Sequence, residues 1–314
     1  DLITSSGFQD LVDGGEGNNK IFITSSAQSG TYQSGTGDDI YNIQNGYNST
    51  GSFGDYLQLI AGAGSDTVNV NSNLSGSTFN LGDGDDIINV AKNLDSGSYN
   101  FVNGQGGNDN INIENGSKRY LTVDGGAGND NLNLSGDFSF ANQFFGNDGN
   151  DTIDISNATG LTTSNSSQLI NAGSGNDSLI GNNEGNLLIG GNDNDILNGG
   201  GGNDILYGGE TYTNNRNDID IAVYSGTSND YQVSRSVDTN FGYVYYIQDI
   251  REGSPDGSDT LYEIDKLRFS DGKFILENYY DSQSRGGPGD DIITGTPGDD
   301  VIDGFGGDDT ITGL

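Results

Sequence analysis

One unit recurs along the chain: a glycine-rich stretch, an Asn or Asp, an Asp, then apolar residues alternating with polar ones. It reads Gly82-Asp83-Gly84-Asp85-Asp86-Ile87-Ile88-Asn89-Val90 in one place and Gly199-Gly200-Gly201-Gly202-Asn203-Asp204-Ile205-Leu206-Tyr207 in another. Taking the residue that closes each turn as its anchor, anchors fall at Asn19, Asp39, Asp66, Asp86, Asp109, Asp130, Asp151 and Asp177, 20 to 27 residues apart. The spacing tightens to nine at Asn186, Asp195 and Asp204, and is nine again at Asp291, Asp300 and Asp309. Glycine phased in this way points to repeats, each packed on the next.

Alignment on the anchors yields three apolar columns. Two residues after the anchor stand Ile21, Tyr41, Val68, Ile88, Ile111, Leu132, Ile153 and Leu179. Four after it stand Ile23, Ile43, Val70, Val90, Ile113, Leu134 and Ile155, and seven before it Val12, Tyr32, Leu59, Phe79, Val102, Val123, Phe144 and Ile170. Between the first two columns lie mostly Asn residues, the alternation of a strand with one buried face. The expected fold is all-β: a parallel β-roll or β-solenoid with calcium-binding Gly-rich turns, plus a small antiparallel β module. Long coils fill residues 1–181 and nine-residue units 182–208, where two units make one coil with turns on both edges. Residues 209–285 break the pattern with Tyr-rich strands and turn signals at Pro255-Asp256-Gly257 and Asp271-Gly272, and are read as the interrupting or capping module. There Tyr224, Tyr243 and Tyr245 are expected to form a small core. Nine-residue repeats resume over 286–314; their shared period would let them rejoin the stack of 181–208, which the sequence alone does not decide.

Composition limits the chemistry. Only 31% of the 314 residues are hydrophobic, too few for a conventional core, yet three prolines and phased glycines argue against disorder. With 46 acidic against 11 basic residues the net charge is −35, which excludes nucleic acid as a natural partner. No run of eighteen apolar residues is present, so no membrane-inserting helix is expected. His and Cys are absent, which removes imidazole and thiolate metal sites and the nucleophilic triads, and leaves hard, oxygen-liganded cations. No leader is visible and both ends lie inside repeat-like sequence, so a fragment of a longer chain is expected.

A Gly-x-Gly-x-Asp turn exposes carbonyl oxygens because glycine tolerates positive φ. One turn cannot supply the six to eight oxygens that calcium takes, but two stacked turns can, which places each ion between consecutive coils. Magnesium, with its strict octahedron, fits such a cage less well. The units resemble the RTX (repeats-in-toxin, haemolysin-type) calcium-binding repeat of secreted bacterial proteins, Gly-Gly-x-Gly-x-Asp-x-apolar-x. The resemblance is closest over 190–208 and 286–313 and looser over 11–181. Ala222-Val223-Tyr224-Ser225-Gly226, Asp259-Thr260-Leu261 and Leu267-Arg268-Phe269-Ser270-Asp271-Gly272 resemble a module often interleaved with such repeats.

Carried over position by position, the resemblance implies side-chain ligands at Asp39, Asp66, Asp86, Asp109, Asp130, Asp151, Asp177, Asp195, Asp204, Asp291, Asp300 and Asp309. The carbonyl-presenting glycines would be Gly37, Gly64, Gly84, Gly107, Gly128, Gly149, Gly175, Gly202 and Gly289. Asn19 and the turn over 181–190 lack the carboxylate, so weak or empty sites are expected there. The acids just before some anchors, Asp38 and Asp85 among them, either ligate or face water.

Several calcium ions are the expected cofactors, and folding should be coupled to them outside the cell. The favoured reading is a calcium-dependent structural module of a secreted bacterial cell-surface protein: an S-layer, surface filament or matrix component. Its expected partners are calcium, further copies of itself or a cell-surface polysaccharide. The alternative is a noncatalytic module of a larger secreted enzyme, adhesin or cytolysin. Catalysis within this chain is not expected. Carboxylate pairs are inevitable among so many acids, and the anchor Asp would repel a phosphate. The residues three before each anchor form no regular Thr or Asn array, which argues against ice binding.

Overall fold

The computed structural model describes residues 1–6, 10–24, 30–44, 56–94, 99–163, 168–209, 218–238, 242–275, 292–294 and 310–312. Within them the chain winds into two sheets of 13 strands each, sharing one core. Each glycine turn joins a strand of one sheet to a strand of the other. Leu121–Ala127 leads through the turn at Asp130 into Asn131–Asp137, and Gln143–Asp148 through Asp151 into Thr152–Thr159. Successive strands of a sheet pair in parallel, so backbone hydrogen bonds run between coils at strand spacing. This is a parallel β-solenoid.

The apolar columns coincide with the pairing register. Ile21 lies opposite Tyr41, then Val68, Ile88, Ile111, Leu132, Ile153 and Leu179. In the second sheet Val12, Tyr32, Leu59, Phe79, Val102, Val123, Phe144 and Ile170 form the facing column, which Leu188 and Leu206 extend. A register slip of one residue would turn every apolar side chain outward, so the alternation itself locks the stack. On the outer face Asn42, Asn69, Asn89 and Asn112 form an amide ladder, in which the Nδ2 of Asn69, Asn89 and Asn112 donates to Oδ1 of the coil before at 3.0–3.2 Å. One irregularity, a register shift between Asn133 and Ser135, gives the strand Thr152–Thr159 an extra residue.

Beyond Gly209 both sheets continue. Ile221–Val223 and then Lys266–Arg268 add in parallel to the first sheet, and Ser258–Tyr262 adds in parallel to the second. Only then does the direction reverse. Phe274–Ile275 pairs antiparallel with Lys266–Arg268, and Gly242–Asp249 pairs antiparallel with Ser258–Tyr262 on one side and Tyr231–Asp238 on the other. The antiparallel module is therefore continuous with the solenoid sheets, and it covers their end. Tyr224 and Tyr245 are buried and Tyr243 is half-buried; the Tyr224, Tyr231 and Phe269 rings pack with centroids 5.1–5.8 Å apart.

Of the repeats over 286–314, residues 292–294 and 310–312 are among those described. Ile292–Thr294 and Thr310–Thr312 pair with each other as a separate two-stranded parallel sheet. The positions beside Ile196–Asn198 and Ile205–Gly209 are already occupied by Ile221–Val223 and Ser258–Tyr262.

Candidate metal centre

The turns place Asp39, Asp66, Asp86, Asp109, Asp130, Asp151, Asp177 and Asp195 in one column along one edge of the solenoid. Asp204 lies on the other edge, before the second-sheet strand Ile205–Gly209. All nine carboxylates are buried, with 0–2% of their surface exposed. A shared hydrogen bond holds them there. The backbone N–H of each anchor donates to Oδ1 of the anchor one coil further on, from Asn19 to Asp39 at 2.6 Å through Asp177 to Asp195 at 2.8 Å. The inner ladder thus spends one oxygen of every carboxylate. The other, Oδ2, is buried without a hydrogen-bond partner in all nine residues. A buried acceptor left unmatched costs about 1–3 kcal/mol, more when charged, and eight in one column with Asp204 on the other edge call for a common ligand.

The surroundings of Oδ2 are oxygen-rich and narrow. A Cβ at Gly104, Gly125, Gly146, Gly190 or Gly199 would collide with the Oδ2 of the anchor five residues later. Carbonyl oxygens share this space, including those of Gly125 beside Asp109 and Gly208 beside Asp195. Asn19 shows how such a space is filled when the anchor is an amide: its Nδ2 donates to the Gly17 carbonyl at 2.5 Å and the Gly15 carbonyl at 3.4 Å. Asn186 does likewise, donating to Leu161 O at 2.6 Å. Where the anchor is Asp, an oxygen takes the place of that donor and meets carbonyl oxygens. Only a proton or a cation resolves this.

Electrostatics point the same way. Burial, reinforced by neighbouring acids, pushes Asp66 up to about 8, Asp86 to about 7, Asp130 to about 7, Asp177 to about 7 and Asp195 to about 9. The inner-ladder N–H opposes this shift in each of them. Acids stacked about 4.8 Å apart repel by roughly 1–3 kcal/mol per pair at effective dielectrics of 20–80. Among the described residues no three acidic side chains converge tightly enough to ligate a metal by themselves, so turn carbonyls must complete any shell. Calcium accepts that donor set, six to eight hard oxygens in irregular geometry.

The glycines two residues before the anchors have a second role. At Gly128, φ is +130°, and a Cβ would collide with the carbonyl oxygen of Gly107 one coil away. Gly64, Gly84, Gly107, Gly149 and Gly175 repeat that close approach. Asp38 and Asp85 belong to a different, outer ladder. Both are exposed and accept a backbone N–H from the next coil, Asp38 from Ser65 at 3.0 Å and Asp85 from Asn108 at 2.7 Å. Asn108, Asn129 and Asn150 continue it. Asp291, Asp300, Asp309 and Gly289 lie outside the described residues.

Sequence reasoning missed further anchors inside the end module. Asp195 donates its N–H to Asp220 Oδ1 at 2.9 Å, Asp204 to Asp259 Oδ1 at 2.8 Å, and Asp220 to Asp265 Oδ2 at 3.0 Å. Gly257-Ser258-Asp259-Thr260-Leu261 carries the glycine, anchor and apolar spacing in full and could have been found; Asp220 and Asp265 lack the glycine turn. On the opposite edge of the long coils the matching positions hold amides. Asn100 and Asn142 accept N–H groups of Ser77 and Leu121 at 3.0 Å, and Asn142 donates to Phe138 O at 3.0 Å.

A family model described as the RTX calcium-binding nonapeptide repeat (4 copies) matches residues 1–22, 137–154, 163–184, 180–210 and 285–314. No curated protein matches the chain.

Proposed function

We propose that this chain, which carries RTX calcium-binding nonapeptide repeats, is a calcium-binding structural module and part of a secreted bacterial cell-surface scaffold, an S-layer, surface filament or matrix component, that folds when it meets calcium outside the cell. The observation that carries the calcium part is the set of nine buried Oδ2 atoms without partners, eight of them in one column. Asp39, Asp66, Asp86, Asp109, Asp130, Asp151, Asp177, Asp195 and Asp204 supply the charge. Turn carbonyls such as those of Gly125 and Gly208 supply further oxygens. When bound, calcium neutralises charge and gives each Oδ2 a partner. The chain contributes the rest: the inner ladder aims each carboxylate, and the glycine columns let successive turns approach closely enough to share a ligand.

The scaffold part is supported by a long stack of parallel strands with an amide ladder on one outer face and by a charge of −35 that repels other anions. RTX repeats are typical of secreted proteins. Electron microscopy of the purified chain tests the scaffold. A lattice or fibre formed in millimolar calcium and dispersed by chelator is the expected result. Isolated particles under both conditions contradict it and leave a calcium module serving a larger secreted protein.

A further inference from the structure

The end module meets the repeat stack at a second cluster of acids, outside the segments matched by the nonapeptide model, which end at residue 210 and resume at 285. Asp220 opens the strand Ile221–Val223 and is 2% exposed. Its Oδ1 accepts the Asp195 N–H, so its carboxylate stands where the next anchor of the column would stand. Its Oδ2 points into the space at Gly208, where a Cβ would meet Asp220 Oδ2 at 2.5 Å and also collide with the carbonyl oxygen of Glu263. Asp109 has the same arrangement at Gly104 with the Gly125 carbonyl, but here no Gly-Gly-x-Gly-x-Asp motif builds it.

Two oxygens at this junction are orphaned. Asp195, with 0% of its surface exposed, has Oδ2 buried without a partner next to Gly190, whose missing Cβ would also lie 2.7 Å from the Gly208 carbonyl oxygen. Glu263 has Oε2 buried without a partner, and a Cβ at the adjoining Gly209 would lie 2.6 Å from it. Glu263 also holds φ at +53°. Asp218 and Asp265 add charge, relieved only in part by Lys266 beside Asp265.

We propose that a calcium ion clips the end module onto the solenoid at this junction, held by the carboxylates of Asp220 and Glu263 together with the carbonyl oxygens of Gly208 and Glu263. The proposal rests on the reading of the repeat turns as calcium sites and extends it to a site the repeat motif does not encode. In functional terms, the module that covers the open strand edge becomes calcium-dependent in its own right.

The test uses the full chain titrated with calcium chloride alone. Bound ions are counted by equilibrium dialysis, and hydrogen exchange is followed over 258–268, in the module, and over 110–134, in the stack. Glu263→Gln, whose carboxyl carries no hydrogen bond at Oε2, should bind one ion fewer or need at least tenfold more calcium to protect 258–268. Protection of 110–134 should be unchanged. Asp220→Asn should do the same, and the mid-stack variant Asp130→Asn should lose an ion without moving the module's calcium midpoint. If Asp220→Asn does not fold, Glu263→Gln decides alone. A Glu263→Gln chain that keeps the wild-type ion count and wild-type protection of 258–268 overturns the proposal while leaving the repeat sites standing. A wild-type chain that takes up no calcium overturns both, before any variant is made.

Discussion

At the scale of the residue, each anchor carboxylate has one oxygen committed to a neighbour's N–H and the other facing carbonyls. The chain answers that arrangement in two ways. Asn19 and Asn186 replace the second oxygen with a donor and satisfy the turn alone, while the Asp anchors leave it open. Asp109→Asn should therefore bind one ion fewer and be more stable than wild type in chelator, by about 1–3 kcal/mol, the cost of an unmatched buried acceptor. In saturating calcium the order should reverse. The residual β signal in chelator and a denaturant titration in saturating calcium check this, and a loss under both conditions would contradict it. A second prediction concerns protons. Burial raises the folded-state values of Asp86 to about 7, Asp109 to about 6 and Asp195 to about 9, above the 3.8 of a free side chain. A group raised on folding favours the protonated fold. This stabilisation is complete below about pH 4 and fades as pH rises through the folded-state values of about 6 to about 9. Circular dichroism in chelator should show more β structure at pH 5 than at pH 9, and the opposite trend would contradict the burial of these acids.

The turn and the strand are the elements of this fold, and they fail differently. Gly128→Ala would put a methyl into the Gly107 carbonyl and force an L-residue to φ +130°. Strain of that kind costs about 1–3 kcal/mol before the collision is added. Gly15→Ala, at φ +72° with no atom within 4 Å, should cost less. Comparing their melting temperatures in calcium separates close approach from backbone strain, and equal losses would contradict the stacking role of Gly128. In the strands, Leu132→Ala removes a fully buried side chain and should cost about 2–5 kcal/mol. The strands were the most legible elements in the sequence. Their alternation is local, so Ile111, Leu132 and Ile153 could be put in one column before their pairing was seen. The inner ladder was not legible, because it joins Asp109 to Asp130 through a backbone group that carries no sequence signal. Nor were the parallel strands at Ile221–Val223 and Lys266–Arg268, which have neither glycine turn nor fixed period and owe their register to the coil they land on.

At the scale of the whole molecule, a thin core is stacked along a column of acids. Within the repeat stack neighbouring coils supply the strand partners, so stability there is a sum over interfaces, and each interface with an Asp anchor carries a similar electrostatic penalty. Calcium bound to the folded form alone stabilises every interface at once, which couples folding to the ion. The sheet count, the core and the solenoid path were recoverable from the columns. The junction with the end module was not, since it depends on Asp220 and Asp265 arriving from segments with no repeat of their own. The central claim is that the buried carboxylates require calcium for the solenoid to exist near neutral pH. Far-ultraviolet circular dichroism of the chain at pH 7.5, first in chelator and then through a calcium titration, addresses it directly. The account predicts a largely unordered spectrum in chelator and a cooperative gain of β signal with calcium that magnesium does not reproduce. A full β spectrum in chelator, unchanged by calcium, would contradict it.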